Sequence, residues 1–222
     1  MKRKMNKKYY FSVEGQTEKW YLERLQFLIN NEPSSVLSVS FVSKVEKNPL
    51  KFVKSVTHID KIEITHLLDL ESTEPQHIKN FENSLDLMKK ASSLGKQIKY
   101  QLGYCNFTFE LWLILHKIDC FTFFEHRKSY LKPLNRAYGE KFSSIDEWKE
   151  EKNFKRILNQ IYLDDVRQAI KRGKMIMQFN SKNNYRMVDY KGYKYYLENP
   201  SLTIWESIEK IMKDCDLMKE GK

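Results

Sequence analysis

Apolar residues recur at two different periods along the first half of this chain. Four short strand-like runs, KYYFSVE, VLSVSFV, IEITHLLDL and QIKYQLGY, alternate with segments whose apolar positions return every three or four residues. Tyr21, Leu22, Leu25, Leu28 and Ile29 fall on one face and predict a helix over about 18–30. Ile78, Phe81, Leu85 and Met88 do the same from Pro75 to Leu94, with Gly95 closing the helix. A short helix is expected after Pro49 and another around FELWLILH. Four strand-then-helix units in series predict an α/β fold with a mostly parallel sheet, because parallel strands need crossovers that lay helices on the sheet faces. In such sheets ligands gather at the carboxyl ends of the strands, so those ends are where chemistry is sought.

Beyond Asp119 the pattern becomes helical and highly charged. Val166, Ile170, Gly173 and Met177 keep helical spacing, as do Leu202, Trp205, Ile208 and Met212. Between them NSKNNYRMVDYKGYKYYLENP alternates basic and aromatic residues. The chain is therefore divided into an α/β core over 1–118 and, over 119–222, a helical insertion with a closing helix that packs back on the sheet. No repeat and no Pro/Gly/Ser linker interrupts it.

Composition sharpens this picture in three ways. With 222 residues, 41% hydrophobic and 14% aromatic, the chain can bury a core and is not a disordered segment. The three cysteines, Cys105, Cys120 and Cys215, have no CxxC spacing, which argues against a disulfide framework or a zinc site and for a reducing cytoplasm. The apolar run after the basic residues 2–8 is broken at Ser12 and Glu14, and no 18-residue apolar stretch occurs, so neither export nor a membrane span is expected. A net charge of +10, from 39 Lys and Arg against 29 Asp and Glu, makes polyanions, nucleic acid first, the leading partner class.

Against that charge, carboxylates collect at the predicted strand ends. Glu14 closes the first strand, and Asp69 and Glu71 close the third, where a two-residue spacing directs both side chains to one side. A hard cation such as Mg²⁺ or Mn²⁺ takes oxygen ligands of this kind, shares its shell with a substrate phosphate, and offsets the repulsion between the acids. The plainer alternative is that D-L-E merely ends a strand at the surface. Glu110 stands in a run so apolar that it needs a partner, and Asn106 lies four residues before it, at helical spacing for a shared face. Gly15 suits a tight or positive-φ joint, while Thr17 and Glu18 read mainly as helix-start residues. His116 reads as structural, and His58, His66, His77 and His126 have no ligand spacing.

In the basic–aromatic stretch, Arg186, Lys191 and Lys194 are candidates for phosphate contacts, with the tyrosines favoured as core. Lys171, Arg172 and Lys174 read as a solvated helix face. There is no G-x-S-x-G and no glycine-rich phosphate loop, so neither a serine hydrolase nor an ATPase is indicated.

Three segments carry a resemblance. VEGQTEKWYLERL is similar to the opening E-G-x-x-T-E motif of RloB-like proteins at Glu14, Gly15 and Glu18, with Thr17 one place early. CNFTFELWLILH resembles the family's S-N-P-x-F-E-x-W motif at Asn106, Phe109, Glu110, Trp112 and His116, with Cys105 and Phe107 in the Ser and Pro places. ENPSLTIWESI resembles its N-P-S-x-T segment at Asn199, Pro200, Ser201 and Thr203. The resemblance implies a Toprim fold related to OLD-type nucleases, with Glu14 and a D-x-D pair, here Asp69 and Glu71, holding Mg²⁺ for phosphodiester cleavage and Glu110 supporting them. It also implies RNA (tRNA included) or DNA as target, a separate ATPase partner, and a role in phage defence. A non-catalytic module that binds nucleic acid or the ATPase is the alternative.

Overall fold

The structure, a computed structural model, describes residues 4–56, 61–94 and 97–218. Gly95 and His58 lie outside these. The first half follows the expected alternation: β1 (Met5–Val13), α1 (Gln16–Asn31), β2 (Leu37–Val45), α2 (Pro49–Ser55), β3 (Ile62–Leu70), α3 (Pro75–Ser92), β4 (Ile98–Asn106) and α4 (Glu110–Lys117). A 3-10 turn (Arg127–Tyr130) then leads into α5 (Leu131–Tyr138), α6 (Ile145–Lys149), α7 (Glu151–Leu158) and α8 (Leu163–Lys182). The chain finishes with a hairpin of β5 (Met187–Tyr190) and β6 (Tyr193–Tyr196), a two-residue strand β7 (Ser201–Leu202) and α9 (Ile204–Asp214).

The main sheet has the order β2-β1-β3-β4-β7, parallel except where β7 joins β4. β1 has β2 on one side and β3 on the other, so the chain reverses its lateral direction here. Right-handed crossovers then require α1 and α2 on opposite faces. They divide the core accordingly. On one face Phe11, Val13, Tyr21, Leu22, Leu25 and Ile29 pack with α4, α8 and α9. On the other, Tyr10, Phe52, Val53, Ile64, Phe81, Leu85 and Met88 form a smaller cluster that also takes in Tyr195. β3, covered on both faces, is buried almost continuously, as a central parallel strand should be.

The later helices join the larger core rather than forming one of their own. Val166, Ile170, Gly173 and Ile176 of α8 are buried, and α8 packs on α4 and α9. At Gly173 a Cβ would lie 3.0 Å from Trp205 Cδ1, so glycine there lets α8 and α9 approach closely. Trp148, fully buried, is ringed by Tyr138, Phe142 and Phe154, which ties α5, α6 and α7 together.

Two details differ from the sequence reading. Leu202 shares its spacing with Trp205 and Ile208 but belongs to β7, opposite Cys105; the open edge of β4 takes up its backbone, and α9 starts two residues later. The basic–aromatic stretch is a hairpin whose Lys191 and Gly192 both have positive φ, the geometry of a two-residue turn. Among the described residues no helix is long and apolar enough to cross a membrane.

Candidate functional site

The reversal point between β1 and β3 is the topological position where α/β sheets open a crevice at their carboxyl ends. Glu14 follows β1 directly, and its Oε2 accepts the backbone N–H of Asp69, 3.0 Å away, which ties the end of β1 to that of β3. Gly15 is the residue before α1, with extended backbone (φ −144°), so of the tight or positive-φ joint expected from sequence the positive-φ form is not used. Its role is spatial: a Cβ would stand 3.0 Å from Glu18 Oε2. Thr17 does not cap the helix; its hydroxyl donates to that same Glu18 oxygen at 3.0 Å.

Glu18 therefore stands within the carboxylate cluster as well as in the first turn of α1. It is buried, and it faces Glu110, the first residue of α4, which is wholly buried. Thr108 Oγ1 donates to Glu110 Oε2, and Lys149 Nζ lies 3.2 Å from Oε1. Asp69, half-buried at the end of β3, feels Glu18, Glu14 and Glu110 together.

The electrostatics follow from this crowding. Burial pushes the Glu14 carboxyl up to about 6; Glu18 and Glu71 add to the rise, while the Asp69 N–H and Lys47 oppose it. Burial, then repulsion from Glu18, Glu14 and Glu110, raises Asp69 well above the usual carboxylate range. Burial and Glu110 raise Glu18. Burial works against the Lys149 ammonium, yet attraction from Glu110, Asp69 and Glu18 outweighs it and the net shift is upward. One lysine thus offsets part of the charge of a group of acids.

Glu71 sits at the rim. It lies past the end of β3 and is exposed, with Arg127 Nη1 3.6 Å from Oε1 and His77 Nε2 3.6 Å from Oε2. With Glu14, Asp69 and Lys47 it lines a cavity of about 260 Å³. The three carboxylates of this cavity offer oxygen donors, which suit a hard divalent cation, and His77 also lines it. As the side chains stand, no three acidic, His or Cys groups among the described residues are arranged to ligate one ion.

The other predicted residues fall elsewhere. Asn106 ends β4 instead of sharing a helix with Glu110, and its amide donates to the carbonyls of Tyr196, Leu197 and Glu198. Asn199 exchanges two hydrogen bonds with the Phe124 backbone in the segment after α4, and the Thr203 hydroxyl donates to Leu102 O of β4. His116 is structural: its ring bonds Trp112 O and Tyr21 Oη, and burial lowers its pKa to about 4.

Lys191 is ion-paired with Asp86 and lines a cavity with Ile98 and Lys99; Lys194 lines one with Tyr100 and Leu102. Asp69 is opposite Cys105, so from Ile98 the acidic cluster is about 23 Å further along β4 at the rise of a parallel strand. Arg186 is exposed beside Glu198, whose Oε1 accepts its backbone N–H. Tyr195 and Tyr196 are buried, and Tyr195 Oη donates to Glu82. Among the described residues none of these three cations is ion-paired with the acids of the cluster.

Sequence reasoning missed Thr108, Arg127 and Lys149. No period or motif links Lys149 to Glu110; only the α5–α7 cap brings them together. Glu18 did carry a signal, its match to the E-G-x-x-T-E motif, and its position in the first turn of α1 masked it.

Fold and site define an α/β protein with a carboxylate cluster at the switch point of a mostly parallel sheet. The chain belongs to the RloB-like family: the family model described as RloB-like protein matches residues 9–211, a span that holds all of the acids above. Comparisons with curated proteins and with solved structures gave no match.

Proposed function

We propose that this chain is a Mg²⁺- or Mn²⁺-dependent nuclease of the Toprim kind that cleaves phosphodiester bonds in RNA, tRNA included, or in DNA. One observation carries the reading: Glu14, Glu18 and Asp69, their carboxyls shifted upward, crowd together with the buried Glu110 of α4 beside the ends of β1 and β3, in a chain of net charge +10. Repulsion and burial make such a cluster unfavourable unless a cation offsets it. Glu14 and Asp69 would hold the ion, with Glu71 completing the set from the rim of the cavity and Glu18 and Glu110 behind them. A divalent cation bound there supplies charge stabilisation at the scissile phosphate and an acidified water. The Glu14 oxygen that does not accept from Asp69 is the one free to ligate the ion. The positive field of the chain recruits the polyanion.

The test is incubation with tRNA and with plasmid, in Mg²⁺ and in chelator. Cleavage that stops in chelator and falls about a hundredfold or more in Glu14→Gln supports the enzyme. Action as a phage-defence effector under the control of a separate ATPase rests on the resemblance of the three motif segments. A second reading, a non-catalytic module that binds nucleic acid or the ATPase, is favoured by the pairing of Glu71 with Arg127 at the rim. Tight binding without cleavage, with the ATPase present, would select it.

A further inference from the structure

Behind the acidic cluster lies a second cavity of a different character. It measures about 350 Å³, within the range of small-ligand pockets, and its walls carry Arg127, Lys128 and Lys149 against a single acid, Asp146. Thr108 and Ser144 also line it. One ion pair joins the linings of the two cavities, and a second ties this cavity to the acidic cluster. Arg127 reaches Glu71 of the first cavity, and Lys149 reaches Glu110 of the cluster. Lys128 has no ion-pair partner among the described residues, and the Ser144 hydroxyl, which accepts the Glu147 N–H, keeps its proton to donate. Three cations and a hydroxyl donor within one concave surface match the chemistry of a phosphate oxygen group.

We propose that this cavity, with Arg127, Lys128 and Lys149, binds the phosphodiester backbone of the nucleic acid next to the bond held at the acidic cluster. The inference rests on the nuclease reading for its orientation. A polynucleotide held at the cluster and continuing across Glu71 meets these cations, whereas the hairpin lysines lie towards the amino ends of the strands. Arg127 exchanges Glu71 for a phosphate when the strand enters, whereas Lys149, whose ammonium has three N–H donors, adds a phosphate while keeping the buried Glu110 paired.

The test separates binding from cleavage. Fluorescence anisotropy of a labelled short single-stranded RNA, and of the DNA of the same sequence, is measured in chelator on Glu14→Gln protein and on the same protein carrying Arg127→Ala and Lys128→Ala. Lys171→Ala, on the exposed face of α8, is the control, and a thermal melt confirms folding. Expected is a loss of affinity of about tenfold or more for at least one of the two strands. The slope of log affinity against log salt should flatten by about 1.4, the value for two lost contacts to a single strand. Arg127 also contacts Glu71, so Lys128→Glu alone is the second variant, and it should weaken binding with every ion pair in place. Affinity and salt slope equal to those of Lys171→Ala would overturn the proposal, as would failure of the unsubstituted chain to bind either strand. Loss of binding in the variants with no Mg²⁺-dependent cleavage by the wild-type chain would leave the pocket standing and defeat the nuclease reading instead.

Discussion

At Glu14 burial and hydrogen bonding pull in opposite directions, and burial prevails. Its carboxyl moves from about 4.5 in the open chain to about 6 in the folded one. Between these values the folded protein holds a proton that the unfolded chain has released. Its contribution is therefore fully present below about pH 4.5 and lost as pH rises through about 6, roughly 2 kcal/mol in all. His66 and His116 act in the reverse sense within the same window. Burial lowers each to about 4, so their stabilisation is present above 6.5 and lost as pH falls through 4. The informative quantity is then a difference: in chelator, urea unfolding of wild type minus Glu14→Gln should shift towards wild type by about 1.5 kcal/mol from pH 7 to pH 4.5. A difference that does not change with pH would remove the argument for a buried, crowded Glu14. Gly15 illustrates how a residue can be legible for the wrong reason. Glycine at a strand-to-helix joint suggests a turn, yet the space it leaves is for the Glu18 carboxylate.

Among the elements, the short helices α5 to α7 matter because they carry Lys149 to Glu110. Trp148, adjacent to that lysine, is the hub of their packing. Trp148→Ala should cost about 3–5 kcal/mol in denaturant unfolding, and milder Trp148→Phe should keep the fold. α8 and α9 meet at Gly173 and Trp205; Gly173→Leu should cost about 1–3 kcal/mol through overpacking, seen as a lower midpoint at unchanged slope. The four strand-helix units were readable because each side of an element repeats at its own period. β7 was not, because two residues carry no period and Leu202 happens to continue the spacing of α9. The hairpin could be read only as far as its tyrosines, since burial of Tyr195 and Tyr196 depends on Phe81 and Tyr104 from distant elements.

Over the whole molecule the larger core passes from α1 through α4 and α8 to α9, across the boundary near residue 119. Thermal unfolding should accordingly be a single transition with equal calorimetric and van't Hoff enthalpies; two separated transitions would show that 1–118 and 119–222 are independent. The sequence by itself determined the α/β class, the mostly parallel sheet, the family and the strand-end position of Glu14 and Asp69. These are properties of local periodicity and of short contiguous motifs. Only the tertiary structure decided that Glu18 joins those acids and the Glu110 already expected beside them, that Lys149 and Arg127 pair with Glu110 and Glu71, and that the hairpin lysines stand at the far end of the sheet. Those facts depend on which distant surfaces pack together, and packing of non-contiguous side chains leaves no periodic trace along a chain.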